Sequence, residues 1–425
     1  MFFSQTVPSV RHAAIALALM HRNYLDRHSN GQVYQPPSLK DQLPDKAPLL
    51  HYNRAIQLLL NLESGDSAEI TAVTLLVCYL FTCFDHLVGD DVQAVKHLRG
   101  GVALSRTLNN SAYDDGQSSG IHTVICQVTE QIRRLDMQAA MFLVDWTPAN
   151  IHETFMSQLA LSHSSFWSLD QAADYLQVLV SQVMRLHYAE QKRSPTVTMR
   201  SFPSSSLKNK DIVLGQLETW SRLFESLLQQ GNSPSDPDLE TDPLLPLLRL
   251  QHTIARILLL STYSPSRETS YDNFLPQFLH CISLAHRVAT THERYSGPSK
   301  PTFTPEIGFL PVLYIIGVKC RHPRLRREVV SILRRQVIRE ASWDSISTAR
   351  VVERVIEIEE GEDGVCCMEQ IPVWRRIETL SFIHVGSAPA RLDVEYTFCG
   401  REGVHVESII MERTESDGLI MSSSR

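Results

Sequence analysis

Histidine, cysteine and arginine are the residue types in this sequence whose number and spacing could carry chemistry. The signatures of common catalytic sites are missing: the sequence holds no G-x-x-x-x-G-K-[ST], G-x-G-x-x-G, G-x-S-x-G or H-E-x-x-H. The histidines with the most suggestive positions are His12, His21, His280, His286 and His322. None of them gives two imidazoles one helical turn apart with a carboxylate nearby, which is the pattern of a zinc helix. We therefore expect no catalytic residue, no metal ligand, no cofactor and no enzymatic activity, and cofactor-binding residues stay unassigned.

The eight cysteines indicate a reduced intracellular protein, because none forms a C-x-x-C pair. Four lie in apolar helical patterns, where cysteine packs as a small hydrophobic residue: Cys78, Cys83, Cys126 and Cys281. Cys366 and Cys367 are adjacent in a stretch rich in glycine and acidic residues. Two neighbouring thiols could form a redox or soft-metal site. Two thiols in a flexible loop is the simpler interpretation, and we favour it.

A basic run at residues 319–339 carries eight arginines and lysines and a single acidic residue, Glu328. If the run forms a helix, Arg327, Arg334 and Arg335 share its outward face. Such a face is typical of a nuclear-import signal or of a surface that contacts phosphate. The alternative, which we favour, is a solvated helix face whose charges meet acidic neighbours. Those neighbours are Glu353, Glu357, Glu359 and Glu360.

Two adjacent helices are predicted to form the hub against which the rest of the chain packs. Residues 71–88 are apolar on nearly every side, whereas residues 92–108 have one apolar stripe. Gly89 can adopt the left-handed conformation that ends a helix, and an aspartate can cap the next one. The uninterrupted apolar run would span about 21 Å, against roughly 30 Å of membrane hydrocarbon. We therefore expect a buried core helix and no membrane span. Gly100 and Gly101 in the second helix indicate close packing on the first, or the approach of a ligand.

The remaining apolar periodicity predicts about a dozen helices and no strand before residue 370. The other predicted helices are 7–28, 51–62, 121–144, 155–161, 169–187, 211–230, 244–263, 274–295, 307–318, 323–339 and 348–360. Near the C-terminus, residues 380–385, 391–398 and 404–410 alternate as strands. The predicted fold is all-α, a large irregular helical bundle or superhelix with a short C-terminal antiparallel β appendage. We expect a helical domain at 1–370 with a sub-division near 194–210, the appendage at 371–412 and a disordered tail at 413–425.

The composition is that of an ordinary globular protein, with 43% hydrophobic residues and a formal net charge of -7. The mild negative charge argues against a protein that binds nucleic acid along its whole length. No basic segment followed by a short apolar run marks the N-terminus, so we expect no secretory signal peptide.

Six segments, in their order, resemble the regulatory domain of fungal binuclear zinc-cluster transcription factors. They read PSVRHAAIALALMHR, HYNRAIQLLL, LLVCYLFTCFDHLVGDDVQAVKHLRGGVAL, RRLDMQAAMF, FWSLDQAADYL and REASWDSISTARVVERVIEIEE. The likeness is carried by an apolar helix ending in an acidic residue, a Gly-Asp turn, and a helix reading A-x-x-H-L-x-x-G. The resemblance implies a structural hub at Asp85, Gly89, Asp90, His97 and Gly101.

In that family a cysteine-rich module of the form C-x2-C-x6-C precedes this domain, holds two zinc ions and reads DNA. No such module is present here. We therefore expect a nuclear transcription regulator whose own residues do not bind DNA directly. It would act through other transcription regulators, the transcription machinery or a small-molecule effector, and it would control a biosynthetic gene cluster. The resemblance also allows a homodimer. Two alternatives are a truncated gene model of a full zinc-cluster activator and a helical interaction scaffold unrelated to transcription.

Overall fold

A computed structural model defines most of the chain. The residues it describes are 5–29, 46–61, 68–111, 120–141, 143, 146–148, 165–191, 204–231, 242–261, 267–297, 300–361, 364–385 and 391–411. Within these residues the protein has twelve helices of ten residues or more and a three-stranded antiparallel sheet at its C-terminal end. The predicted all-α fold with a β appendage is confirmed. The predicted helix at 155–161 and the predicted disordered tail lie outside the described residues.

In the described residues of the N-terminal part, five helices are arranged around the third. They are α1 (Pro8–Ser29), α2 (Ala47–Leu60), α3 (Ala68–Val88), α4 (Asp91–Ser111) and α5 (Gly120–Ala139). Helix α3 supplies apolar side chains to two clusters, one shared with α1 and α2 and the other with α4 and α5. No side chain between residues 70 and 88 is exposed. The prediction of a first hairpin arm covered on all sides is confirmed.

The central part forms the largest apolar cluster. Its helices are α6 (Leu169–Gln191), α7 (Ser204–Gly231), α8 (Leu244–Ser261), the single turn α9 (Arg267–Ser270) and α10 (Leu275–Ser296). Helix α8 is apolar on most of its circumference because it packs against α6, α7 and α10. Two segments, Glu69–Val88 and Leu244–Ser261, are long and apolar enough to cross a membrane, and 61% and 67% of their apolar windows are buried inside the protein. Burial of this extent is typical of core helices.

Before residue 370 the described residues include three short strands, which corrects the prediction that none would occur there. They are β1 (Thr302–Thr304), β2 (Ile338–Glu340) and β3 (Trp343–Asp344). Strand β2 pairs in parallel with β1 and antiparallel with β3. Helices α11 (Leu310–Lys319) and α12 (Pro323–Arg334) connect β1 to β2, and α13 (Ser345–Glu360) follows β3.

The prediction of one helix over residues 323–339 is also wrong, because α12 ends at Arg334. The residues beyond it find partners outside the helix. The carbonyl of Val337 accepts a hydrogen bond from the backbone N–H of Thr302, and the N–H of Ile338 donates to Oγ of Ser345. Pairing with β1 therefore overrides a helical period that the apolar spacing alone would continue.

The C-terminal sheet contains β4 (Ile377–Val385), β5 (Arg391–Phe398) and β6 (His405–Ile410), each antiparallel to its neighbour. Leu392, Val394 and Tyr396 of β5 face inward. They share an apolar cluster with Val351 and Val355 of α13. The alternation of apolar and polar residues that predicted β5 thus reflects a sheet with one face on the helical body.

Candidate functional site

The polar centre of the predicted hub is a contact of three side chains from three helices. Asp85 of α3 is fully buried, and the hydroxyl of Tyr52 from α2 donates to its Oδ2 over 3.3 Å. His97 of α4 completes the group, with Nε2 lying 2.8 Å from the Tyr52 hydroxyl and 3.6 Å from Oδ2 of Asp85. Burial and the neighbouring Asp85 carboxylate both raise the pKa of Tyr52. The phenol therefore stays protonated and holds α2 to the α3–α4 hairpin.

The turn between α3 and α4 has the geometry that its residues predict. Gly89 has φ = 79°, the left-handed conformation that ends α3. Oδ1 of Asp90 accepts a hydrogen bond from the backbone N–H of Gln93 over 3.1 Å, which caps the first turn of α4. A Cβ at Gly101 would lie 2.8 Å from Cδ1 of Ile132 and 3.5 Å from Cβ of Cys78. Gly101 therefore lets α4 pack closely against both α3 and α5.

The end of this hairpin docks on the β2–β3 turn. Nε of Arg339 donates to the carbonyl oxygen of His86 over 2.8 Å, and Oγ of Ser342 donates to Oδ1 of Asp91 over 2.7 Å. Burial opposes ionisation of Asp91, but hydrogen bonds from His86 and Ser342 and the nearby Arg339 hold the pKa of its carboxyl below 3.8. The third and sixth of the segments that carry the family resemblance are thus in direct contact.

Strand β2 also supports the C-terminal half of the protein through Glu340. This buried carboxylate accepts hydrogen bonds from the backbone N–H groups of Gly308, Phe309 and Leu310 at 2.9, 3.1 and 3.0 Å. These are the free N–H groups at the start of α11, where negative charge is favoured. Burial nevertheless raises the pKa of Glu340 to about 7. A Cβ at Gly308 would lie 2.6 Å from Oε1 of Glu340, so a glycine is needed there.

Half of the basic run is buried rather than presented to solvent. Lys319, Arg321, Arg326 and Arg339 are each less than a tenth exposed. Because sequence periodicity treats arginines as surface residues, it did not single out any of these four. The carboxylate partners of the first three and the His86 carbonyl that Arg339 contacts are remote in sequence, and no local signal predicts them.

Glu268 and Glu359 neutralise the buried charges of Lys319, Arg321 and Arg326. Glu268 of α9 contacts Nζ of Lys319 at 2.7 Å and Nη2 of Arg321 at 2.6 Å. Glu359 of α13 contacts Arg321 at 3.1 Å and also accepts from Arg326 and from the backbone N–H of Ile377. Burial alone would raise the pKa of Glu359, but Arg321 and Arg326 lower it to about 2. The cluster joins the helical body to the first residue of β4.

The three arginines of the predicted import or phosphate-contact face lie in ion pairs. Arg327 pairs with Glu360 at 2.7 Å, Arg334 with Glu353 at 2.8 Å and Arg335 with Glu293 of α10 at 2.6 Å. Two of these acids were expected as neighbours. The other two expected acids have different partners: Glu359 binds the buried arginines, and Glu357 binds Arg350 and Arg354. Nuclear import and phosphate contact stay predictions for this face.

The histidines and cysteines occupy varied surroundings. His12 lies with its Nδ1 2.8 Å from Nδ1 of His51 rather than near His21, and His286 contacts Glu328 at 2.9 Å. Among the described residues no group of three or more His, Cys, Asp or Glu is placed to hold a metal ion. Cys83 and Cys281 are buried and Cys78 is half-buried, whereas Cys126 is exposed, so its expected burial is wrong. Cys366 and Cys367 are both exposed.

Comparison with known proteins points to one functional class. No model of a known protein family matches the chain, and no solved structure matches it. The chain is similar to a fungal transcription regulator, which supports a relation to fungal transcription factors and a role in transcription regulation. That relative is the aspercryptin biosynthesis cluster-specific transcription regulator atnN of Emericella nidulans. It is 21% identical over 440 residues, which cover 84% of this chain and 69% of the relative.

Proposed function

We propose that this protein is a nuclear regulator of a biosynthetic gene cluster. The observation that carries the proposal is the similarity, over 84% of the chain, to a regulator whose name assigns it to one biosynthesis cluster. We further propose that the described helical residues act through partner proteins or a small-molecule effector rather than by reading DNA themselves.

The charge distribution supports action through partners. Binding to duplex DNA draws most of its affinity from lysines and arginines that neutralise phosphates. Six of the eight charges in the basic run are engaged by glutamates: three are buried against Glu268 and Glu359, and three are paired at the surface. Contact with DNA phosphates would require these ion pairs with glutamates to break. The net charge of -7 for the whole chain also disfavours binding to the negatively charged DNA backbone.

Deletion of the gene in its source organism tests the regulatory role. We expect transcripts of adjacent biosynthetic genes to change and to return when the gene is restored. A fluorescently tagged copy should accumulate in the nucleus. Unchanged transcripts together with steady exclusion from the nucleus would overturn the proposal and favour a scaffold outside transcription.

The mode of action is tested on the purified chain. We expect no bound zinc by elemental analysis and no sequence-specific binding to the promoters of the affected genes. Retention of those promoters by the chain together with its partners, but not by the chain alone, would support indirect action. Zinc together with tight specific binding by the chain alone would contradict this part of the proposal and identify a DNA-reading activator.

A further inference from the structure

A groove of about 390 Å³ lies between α7, α8 and α10. Helix α8 lines it with Arg249, His252, Thr253 and Arg256, whose spacing puts all four on one face of the helix. Helix α10 contributes His280. The opposite face of α8 belongs to the largest apolar cluster. The groove therefore concentrates charged and hydrogen-bonding side chains, Glu225 of α7 among them, beside an otherwise apolar bundle, and its volume is within the range of small-molecule sites.

The floor of the groove is a stack of three rings. Trp220 of α7 stacks on Phe224 with ring centres 4.6 Å apart and on His252 with ring centres 4.9 Å apart. The indole N–H of Trp220 donates to the carbonyl of Ala172 in α6 over 2.8 Å, which fixes the stack in the core. A molecule bound in the groove would thus rest on a rigid aromatic base.

His252 offers a hydrogen-bond acceptor to this groove. The residue is 8% exposed, and its Nε2 lies 3.0 Å from the carbonyl oxygen of Leu217. Because a carbonyl only accepts, Nε2 carries the proton. Burial lowers the pKa of His252, and the nearby Arg256 lowers it further, so the ring is neutral. Nδ1 is then the acceptor nitrogen of the ring.

Arg256 offers an uncompensated positive charge beside that acceptor. The side chain is exposed, and it has no ion pair with any residue in the described part of the chain. The other arginine of the groove, Arg249, is paired with Glu225 at 3.3 Å. A guanidinium presents parallel N–H donors that fit the two oxygens of a carboxylate. Among the described residues, the groove therefore places a guanidinium without an ion pair beside a neutral imidazole and a stack of aromatic rings.

We propose that this groove binds a small carboxylic acid carrying a hydroxyl group, with the carboxylate at Arg256 and the hydroxyl donating to Nδ1 of His252. The inference rests on the proposed function, because it names the chemical class of the effector. The ring stack gives the groove a rigid base, which Trp220 joins to α6 through its hydrogen bond to Ala172.

Isothermal titration calorimetry of the full chain with para-hydroxybenzoate tests this site. We expect saturable binding at concentrations up to about 10 mM. Benzoate, which lacks the hydroxyl, and para-hydroxybenzamide, which lacks the charge, should each bind about tenfold more weakly. Arg256→Gln should weaken binding of para-hydroxybenzoate by about tenfold or more. Arg185→Gln removes an exposed arginine of α6 outside the groove and should leave binding unchanged.

Absence of binding, or equal binding to the Arg256→Gln and Arg185→Gln variants, would overturn the inference. Equal binding of para-hydroxybenzamide and para-hydroxybenzoate would also overturn it, because the site would then not select an anion. Any of these results would leave the deletion and localisation experiments free to succeed, so failure of the site is distinct from failure of the regulatory role.

Discussion

Nε of Arg339 donates a hydrogen bond to the backbone carbonyl of His86 over 2.8 Å and so joins residues 253 positions apart. Arg339→Met keeps an unbranched stem about as long as that of arginine up to Nε but removes the guanidinium that donates to the carbonyl. We expect the free energy of unfolding to fall by about 2 kcal/mol, measured by urea denaturation. The control is Arg324→Met, at an exposed residue of the same basic run, which should change it by less than about 0.5 kcal/mol. Equal effects of the two variants would contradict a special role for Arg339.

The contact of Tyr52 with Asp85 and His97 predicts a loss of stability when the hydroxyl is removed. Tyr52→Phe retains the ring that stacks on Phe81 with centres 4.0 Å apart, but it removes the hydroxyl that donates to the buried Asp85 carboxylate. We expect the free energy of unfolding to fall by about 1–2 kcal/mol. Tyr295→Phe, at a side chain that is 81% exposed, is the matched control and should have no measurable effect. If the denaturation midpoint of Tyr52→Phe equals that of the wild type, the prediction is refuted.

Two helical glycines should respond to alanine in opposite directions. A Cβ at Gly317 of α11 would lie 2.6 Å from Cγ1 and 2.7 Å from Cγ2 of Val352, whereas nothing lies within 4 Å of a Cβ at Gly215 of α7. Overpacking in Gly317→Ala should destabilise the protein by about 1–3 kcal/mol. Gly215→Ala should stabilise it by roughly 0.5–1 kcal/mol through helix propensity. Thermal unfolding of each variant and of the wild type measures the direction of each change in stability. A change in the same direction for both variants would contradict the packing argument.

The buried ionic cluster predicts loss of stability in acid. Arg321 and Arg326 outweigh the effect of burial and lower the pKa of Glu359 to about 2, from an ordinary value of 4.5. Its contribution is present above pH 4.5 and disappears as pH falls towards 2, because the unfolded chain takes up the proton first. Glu359→Gln should flatten this part of the stability–pH curve and reduce stability at neutral pH by about 3–5 kcal/mol.

The matched control for that experiment is Glu402→Gln, at an exposed loop residue. It should leave both the acid limb of the curve and the neutral stability unchanged. If Glu359→Gln retains the full acid dependence of the wild type, the ionic cluster is not its source.

The three surface ion pairs predict that neutralising the arginines leaves import intact. We expect a tagged chain with Arg327→Gln, Arg334→Gln and Arg335→Gln to enter the nucleus, because each guanidinium is already engaged by a glutamate. The control exchanges one pair, Arg335→Glu with Glu293→Arg, and so keeps the contact while moving the charge. Cytoplasmic retention of the triple variant but not of the exchanged pair would establish the import signal.

The helical part of the fold could be predicted because each pattern that specifies it lies within a short stretch of the sequence. The all-round apolar pattern of α3, the stripe of α4 and the Gly89-Asp90 turn are each written within a few residues, and each is confirmed. The hub residues Asp85 and His97 were indicated by the family resemblance and not by a local pattern. Their partner Tyr52 could not be predicted, because in sequence it is one more apolar residue on the inner face of α2.

The parts that could not be predicted depend on contacts distant in sequence. Strands β1, β2 and β3 have three residues or fewer, too short for alternation to show. Arg321 and Arg326 lack any local sign of burial because Glu268 and Glu359 lie 53 and 33 residues from them, respectively. The position of Arg339 is determined by His86, and no periodic pattern connects these two residues.

The contact between the α3–α4 turn and strand β2 has a consequence for synthesis on the ribosome. Helices α3 and α4 leave the exit tunnel long before Arg339 and Ser342 are translated, and domains form in the order in which their residues emerge. The hairpin therefore has to assemble first with α1, α2 and α5. Its contacts with Arg339 and Ser342 can form only when nearly the whole polypeptide has been made. A nascent chain arrested ahead of residue 338 should consequently be cut by protease at this turn, whereas the released full-length polypeptide should resist cleavage there.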